Sequence, residues 1–154
     1  MITIIYPKDD FDAANVAVKV QALAQSRNQK LYVVPKHFGR NEISVEQNLK
    51  KSSVILLIAQ SASAFDEQTL SELRLLQNLN KKIVGFIPVD LGLPQEIERN
   101  ITLKRYHKGD STALRKEIVT YLTEVQAKQD AGGFLIVLGL ILFLFLLAFN
   151  NSDE

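Results

Sequence analysis

The chain has 154 residues, is 47% hydrophobic and 23% charged, and carries a formal net charge of +1 with no cysteine. That length excludes a multidomain enzyme, and the lack of cysteine excludes disulfides, iron–sulfur clusters and cysteine zinc sites. With only His37 and His107 as imidazoles, a histidine-rich metal site is not expected, and the near-neutral balance argues against nucleic acid as a partner.

Five short apolar runs alternate with helical patterns. The predicted strands are Ile2–Tyr6, Leu31–Val34, Val54–Ile58, Ile83–Val89 and Ile101–Tyr106, rich in Val, Ile and Tyr and bounded by Pro, Gly, Asn or Asp. The third, Val-Ile-Leu-Leu-Ile, does not alternate and suits a central parallel strand covered on both faces. Between them fall predicted helices over Asp12–Arg27, with Asp9 and Asp10 as candidate caps; over Ser44–Lys51, with capping-box spacing from Ser44 to Gln47; over Phe65–Leu79; over a turn at Pro94–Asn100; and over Ser111–Lys128. Leu114, Ile118, Tyr121, Leu122 and Val125 form one stripe on the last helix. This alternation predicts a doubly wound, flavodoxin-like α/β fold with a five-stranded parallel sheet over residues 1–128. Ligands of such sheets sit at the carboxyl ends of the strands, near the switch in strand order. The loops to inspect are Pro7–Phe11, Pro35–Ile43, Gln60–Ala64 and Val89–Leu93.

The apolar excess lies at the end. Of the nineteen residues from Ala131 to Phe149, sixteen are apolar and three are Gly. As a helix they would rise about 28 Å, close to a ~30 Å hydrocarbon core. A single transmembrane helix over 131–149 is expected, joined by a hinge at 129–133 and followed by a short acidic tail at 150–154. Arg115, Lys116 and Lys128 precede the span and only acids among the charged residues follow it, so the domain is expected on the cytoplasmic side of a cell inner membrane, tail-anchored.

Several chemistries are absent. The loop Pro7-Lys8-Asp9-Asp10 contains neither GxGxxG nor GxxxxGK[ST]. A receiver domain would need Asp at the end of the third strand, where Ala59-Gln60 stands.

Glu72 remains. On a helical wheel with Leu70 at zero, Glu72 falls at about 200°, among Leu79, Phe65 and Leu76. A carboxylate on a buried face is costly unless it is paired or used. It is either a functional group or a structural ion pair with Lys36 or Arg40.

The order of these features resembles a Toll/interleukin-1 receptor (TIR) domain of the bacterial kind, over Met1 to about Lys128. The matching pieces are Ile4-Ile5-Tyr6-Pro7-Lys8-Asp9-Asp10; the loop Pro35-Lys36-His37-Phe38-Gly39-Arg40-Asn41-Glu42-Ile43; Ser52-Ser53-Val54-Ile55-Leu56-Leu57-Ile58; Ser71-Glu72-Leu73; and Lys81-Lys82-Ile83-Val84-Gly85-Phe86-Ile87-Pro88. The resemblance implies Glu72 as the catalytic residue of an enzyme that cleaves NAD, as substrate rather than cofactor, at the nicotinamide–ribose bond. The product would be ADP-ribose or a cyclised, signalling ADP-ribose. Tyr6, Asp10, Phe38 and Arg40 would complete the binding pocket. The resemblance also implies bacterial antiphage defence or signalling, self-association into a homo-oligomer, and a partner defence or signalling protein, while the apolar span implies membrane lipid as a further partner. Gln68 stands where members often carry an aromatic residue. Two alternatives belong to other classes: a non-catalytic assembly module in which Glu72 is structural, and a nucleotide-signal sensor with the span as effector.

Overall fold

The computed structural model describes residues 1–108, 111–127 and, within the C-terminal segment, residues 139, 142 and 144–146. The elements follow in the order β1 (Ile2–Ile5), α1 (Phe11–Ser26), β2 (Leu31–Val33), α2 (Glu42–Lys51), β3 (Val54–Ile58), α3 (Glu67–Asn78), β4 (Lys82–Pro88), α4 (Gln95–Glu98), β5 (Ile101–Tyr106) and α5 (Ser111–Ala127). All strands pair in parallel, in the order β2-β1-β3-β4-β5. The expected parallel α/β sheet is present. The chain reverses its direction of travel across the sheet between β1 and β3, and this places the switch point beside Tyr6 and Ala59.

Every residue of β1 and β3 is buried, as an unalternating apolar strand requires when helices cover both faces. Side chains divide by parity. Ile2, Ile4, Leu56, Ile58, Val84 and Phe86 pack with α1 and α5. Ile5, Ile55, Leu57, Ile83 and Ile87 pack with α2, α3 and α4. At the centre of β4, Gly85 lies under β5; a Cβ there would stand 2.9 Å from Leu103 Cδ2 and 3.5 Å from Ile101 Cγ2. The leucine end is flexible, so Gly85→Ala is expected to cost only about 1 kcal/mol, read as a lowered urea midpoint.

Helix ends are set by side-chain caps. Asp10 caps α1 through the Ala13 N–H, and Asp66 caps α3 through the Thr69 N–H. The second helix starts two residues earlier than its sequence suggests, because Asn41, not Ser44, is the cap: the Asn41 side chain accepts the Ser44 N–H at 3.0 Å.

Among the described residues no helix is long and apolar enough to cross a membrane. The transmembrane helix expected over 131–149 therefore has no support from them, and most of that segment, with the hinge and the acidic tail, lies outside the described residues. The members that are described behave as core. Leu142, Leu144 and Phe145 are fully buried in the cluster formed by α1, α5 and their face of the sheet.

Candidate functional site

The carboxyl ends of β1 and β3 are stitched together by Asp10. Its Oδ1 accepts the Ala13 N–H at 3.0 Å and the Ser61 hydroxyl at 2.9 Å, and its Oδ2 accepts the Gln60 N–H at 2.7 Å and the Ala62 N–H at 3.2 Å. The Ser61 N–H is shared between both oxygens. The Tyr106 hydroxyl donates to the Ala59 carbonyl from β5, and burial, reinforced by Asp10 and Asp90, pushes that phenol far above its ordinary range. Between the β1–α1 loop and the β3–α3 turn lies a crevice of about 360 Å³, lined by Pro7, Asp9, Ser61, Ser63, Phe65 and Asp66. It occupies the switch point, where ligands of this fold class bind.

The next helix carries the charged centre. On α3 the buried side chains are Thr69, Leu70, Glu72, Leu73 and Leu76. Glu72 thus marks the edge of the buried arc rather than its middle, with Leu75 half-buried beyond it. Each buried leucine contributes roughly 1.5–3 kcal/mol, enough to fix the helix face and carry Glu72 inward, provided the carboxylate finds partners. It finds two cations. Lys36 Nζ donates to Glu72 Oε2 at 2.5 Å and to Thr69 Oγ1 at 2.9 Å. Arg40 Nη1 donates to Glu72 Oε1 at 2.8 Å and to the Pro35 carbonyl at 2.8 Å. The Lys36 side chain is fully buried, and that of Glu72 is 4% exposed.

The network extends in both directions. Thr69 passes its own hydroxyl proton to Asp66 Oδ1 at 2.8 Å, and the Lys8 N–H donates to the same oxygen at 2.8 Å. Outward, Arg40 Nε and Nη2 grip the two oxygens of Glu42 at 2.6 and 3.0 Å. A continuous line therefore runs Asp66–Thr69–Lys36–Glu72–Arg40–Glu42. Burial pulls the Lys36 ammonium below its ordinary range, against the opposing pull of Glu72. Burial also works on Asp66, but the Lys8 and Thr69 donors outweigh it and hold that carboxyl low. Arg40 holds Glu42 low. Burial, then the charge of Glu72, raises Tyr6.

Glu72 forms part of the wall of a second cavity, about 310 Å³, between α2 and α3; Arg40, Glu42, Gln68, Ser71 and Leu75 line it with Glu72. A carboxylate so placed can bind hydroxyl donors or stabilise a developing positive charge, once one of its oxygens is released. Among the described residues no cluster of His, Asp and Glu is arranged to hold a metal.

Of the five residues singled out in the sequence, the fold brings together Glu72 and Arg40. Tyr6 is buried in the α1–α5 cluster on the other face of the sheet and lines neither cavity. Asp10 is consumed by the stitch described above. Phe38 is 99% exposed at the tip of the β2–α2 loop. Lys36 and Arg40, the two partners suggested for a structural ion pair, both make it. Thr69 and Asp66 escape a reading based on charge alone. Their signal is the Asp-x-x-Thr spacing of a helix cap. Near the end of β5, Lys104 meets Glu124 at 3.4 Å and Arg105 meets Glu98 at 3.1 Å.

No protein-family model matches the chain, and no curated protein matches it either.

Proposed function

We propose that the chain is a TIR-like protein of bacterial defence or signalling that cleaves NAD at the nicotinamide–ribose bond, with Glu72 as the catalytic residue. The observation that carries this reading is a buried carboxylate set in the wall of a cavity between α2 and α3. In the proposed reaction nicotinamide leaves with the bonding electron pair and the ribose becomes oxocarbenium-like. Glu72 stabilises that charge, and water adds at the anomeric carbon and releases a proton. A membrane tether through residues 131–149 belongs to the proposal on the strength of its apolar sequence. Because Leu142, Leu144 and Phe145 pack with α1 and α5, tethering requires the segment to leave the domain.

One observation favours a second reading. Both oxygens of Glu72 are occupied by cations, as in a structural ion triad, and Phe38 offers an exposed apolar tip. In that reading the domain is a non-catalytic assembly module. The full chain, crowded on liposomes with NAD, separates the two. Nicotinamide release that falls by about 10²-fold or more in Glu72→Gln supports the enzyme; no release under any assembled condition leaves the assembly module.

A further inference from the structure

Glu72 has one permanent partner and one exchangeable partner. Lys36 lies fully buried, anchored on Thr69 as well as on Glu72, and cannot leave without unpacking the centre of the domain. Arg40 is also largely buried, at 9% exposure, and bonds the Pro35 carbonyl, but it stands at the outer end of the network. It follows Gly39, which has a φ of +74° and no heavy atom within 4 Å of a would-be Cβ, on a loop whose tip residue Phe38 stands in solvent. Rotation of that tip gives up the His37 hydrogen bond to the Lys8 carbonyl at 2.9 Å and the stacking of His37 on Phe11, both at the surface. The outer partner of Arg40, Glu42, has a side chain 74% exposed and is free to move into water.

The guanidinium is also arranged for a particular visitor. One edge, Nε and Nη2, holds the carboxylate of Glu42, while Nη1 holds that of Glu72. A planar fork that already bridges two oxyanions presents the donors a diphosphate would take, and arginine is the residue best suited to bidentate phosphate.

We propose that Arg40 is an anion-operated gate: a ligand carrying a diphosphate draws the guanidinium away from Glu72 and Glu42, and Oε1 of Glu72 is then open to the cavity. The inference rests on Glu72 being the working carboxylate. It adds the residue that takes the diphosphate of such a nucleotide and the order of events, in which phosphate is engaged before the carboxylate is released. It also accounts for a resting state in which each oxygen of Glu72 is held by a cation.

The test is equilibrium binding of ADP and of adenosine to the full-length chain in lipid nanodiscs, by calorimetry. Wild type is expected to bind ADP at least ten times more tightly than adenosine. Arg40→Ala brings the two within about threefold of each other, and Arg40→Lys, charged but without the fork, falls between. Glu42→Gln and Glu72→Gln each remove a carboxylate that competes for Arg40 and tighten ADP several-fold. The gate is overturned if wild type shows no preference for ADP, or if Arg40→Ala binds ADP within twofold of wild type. It is equally overturned if a folded Glu72→Gln leaves ADP affinity unchanged. Should Glu72→Gln not fold, Glu42→Gln on the surface reads the same competition, and an unchanged or weakened ADP affinity there overturns the gate. Nicotinamide release from NAD, followed in parallel, separates the two ideas. Glu72-dependent release with ADP binding indifferent to Arg40 removes the gate and keeps the enzyme. Arg40-dependent ADP binding without release keeps the exchange and removes NAD cleavage.

Discussion

Asp10→Ala is expected to destabilise the domain by about 4 kcal/mol, among the largest effects of any single substitution in this chain. The side chain serves two purposes at once. It caps α1, a role that alone is worth about 1 kcal/mol, and it receives the Gln60, Ser61 and Ala62 N–H groups with the Ser61 hydroxyl. Alanine leaves those donors without an acceptor at a partly buried turn, and hydrogen bonds to a charged acceptor contribute roughly 1.5–3 kcal/mol each before coupling is considered. Asn at this position keeps one acceptor oxygen and is expected to lose about half as much. Urea unfolding of the full chain, followed by circular dichroism, measures both. A change under 1 kcal/mol for Asp10→Ala would show that the stitch between the two loops is not needed. The same loops border the switch-point crevice, so loss of stability and loss of any ligand bound there should appear together.

The second large effect is expected at Lys36. Lys36→Met removes a fully buried ammonium from Glu72 Oε2 and Thr69 Oγ1. Breaking one side of a buried ion pair typically costs about 3–5 kcal/mol, because the remaining charge is left uncompensated. Arg40 still holds the other oxygen of Glu72, which places the expectation near the lower end, about 3 kcal/mol. Replacing both partners, Lys36→Met with Glu72→Met, removes the stranded charge and should return stability to within about 1 kcal/mol of wild type. The diagnostic result is this recovery. If the double variant is as unstable as the single one, packing of the lysine stem rather than its charge holds the β2–α2 loop.

The architecture was largely legible in the sequence, for a simple reason. Central parallel strands must be apolar on both sides, and Ile2–Ile5 and Val54–Ile58 advertise this directly. Glu72 was legible too, because a helix repeats every 3.6 residues and a charge on the leucine side stands out. What the wheel could not fix was its exact place. Leu79 is exposed and Thr69 is buried, so the true arc is rotated and Glu72 sits at its rim, facing the loop that delivers Lys36 and Arg40. Asp10 is half legible: its place before α1 suggests the cap that it makes with the Ala13 N–H, but its further partners Gln60, Ser61 and Ala62 lie about 50 residues away and no local pattern points to them. Tyr6 illustrates the opposite limit. Its position at a strand end suits a pocket, but parity along the strand turns it to the α1–α5 side. The apolar C-terminal run reads as a span because length and hydropathy say nothing about a neighbouring surface, while Leu142, Leu144 and Phe145 find one.

The double engagement of Glu72 carries an evolutionary consequence. A descendant that abandoned any chemistry at this position would still hold a buried ammonium from Lys36 and a guanidinium from Arg40 that require an anion. Selection for folding alone would then retain the glutamate. Its persistence among relatives would not by itself mark a working enzyme. The informative lineages are those in which Lys36 and Glu72 change together, or in which Arg40 drifts while the glutamate stays.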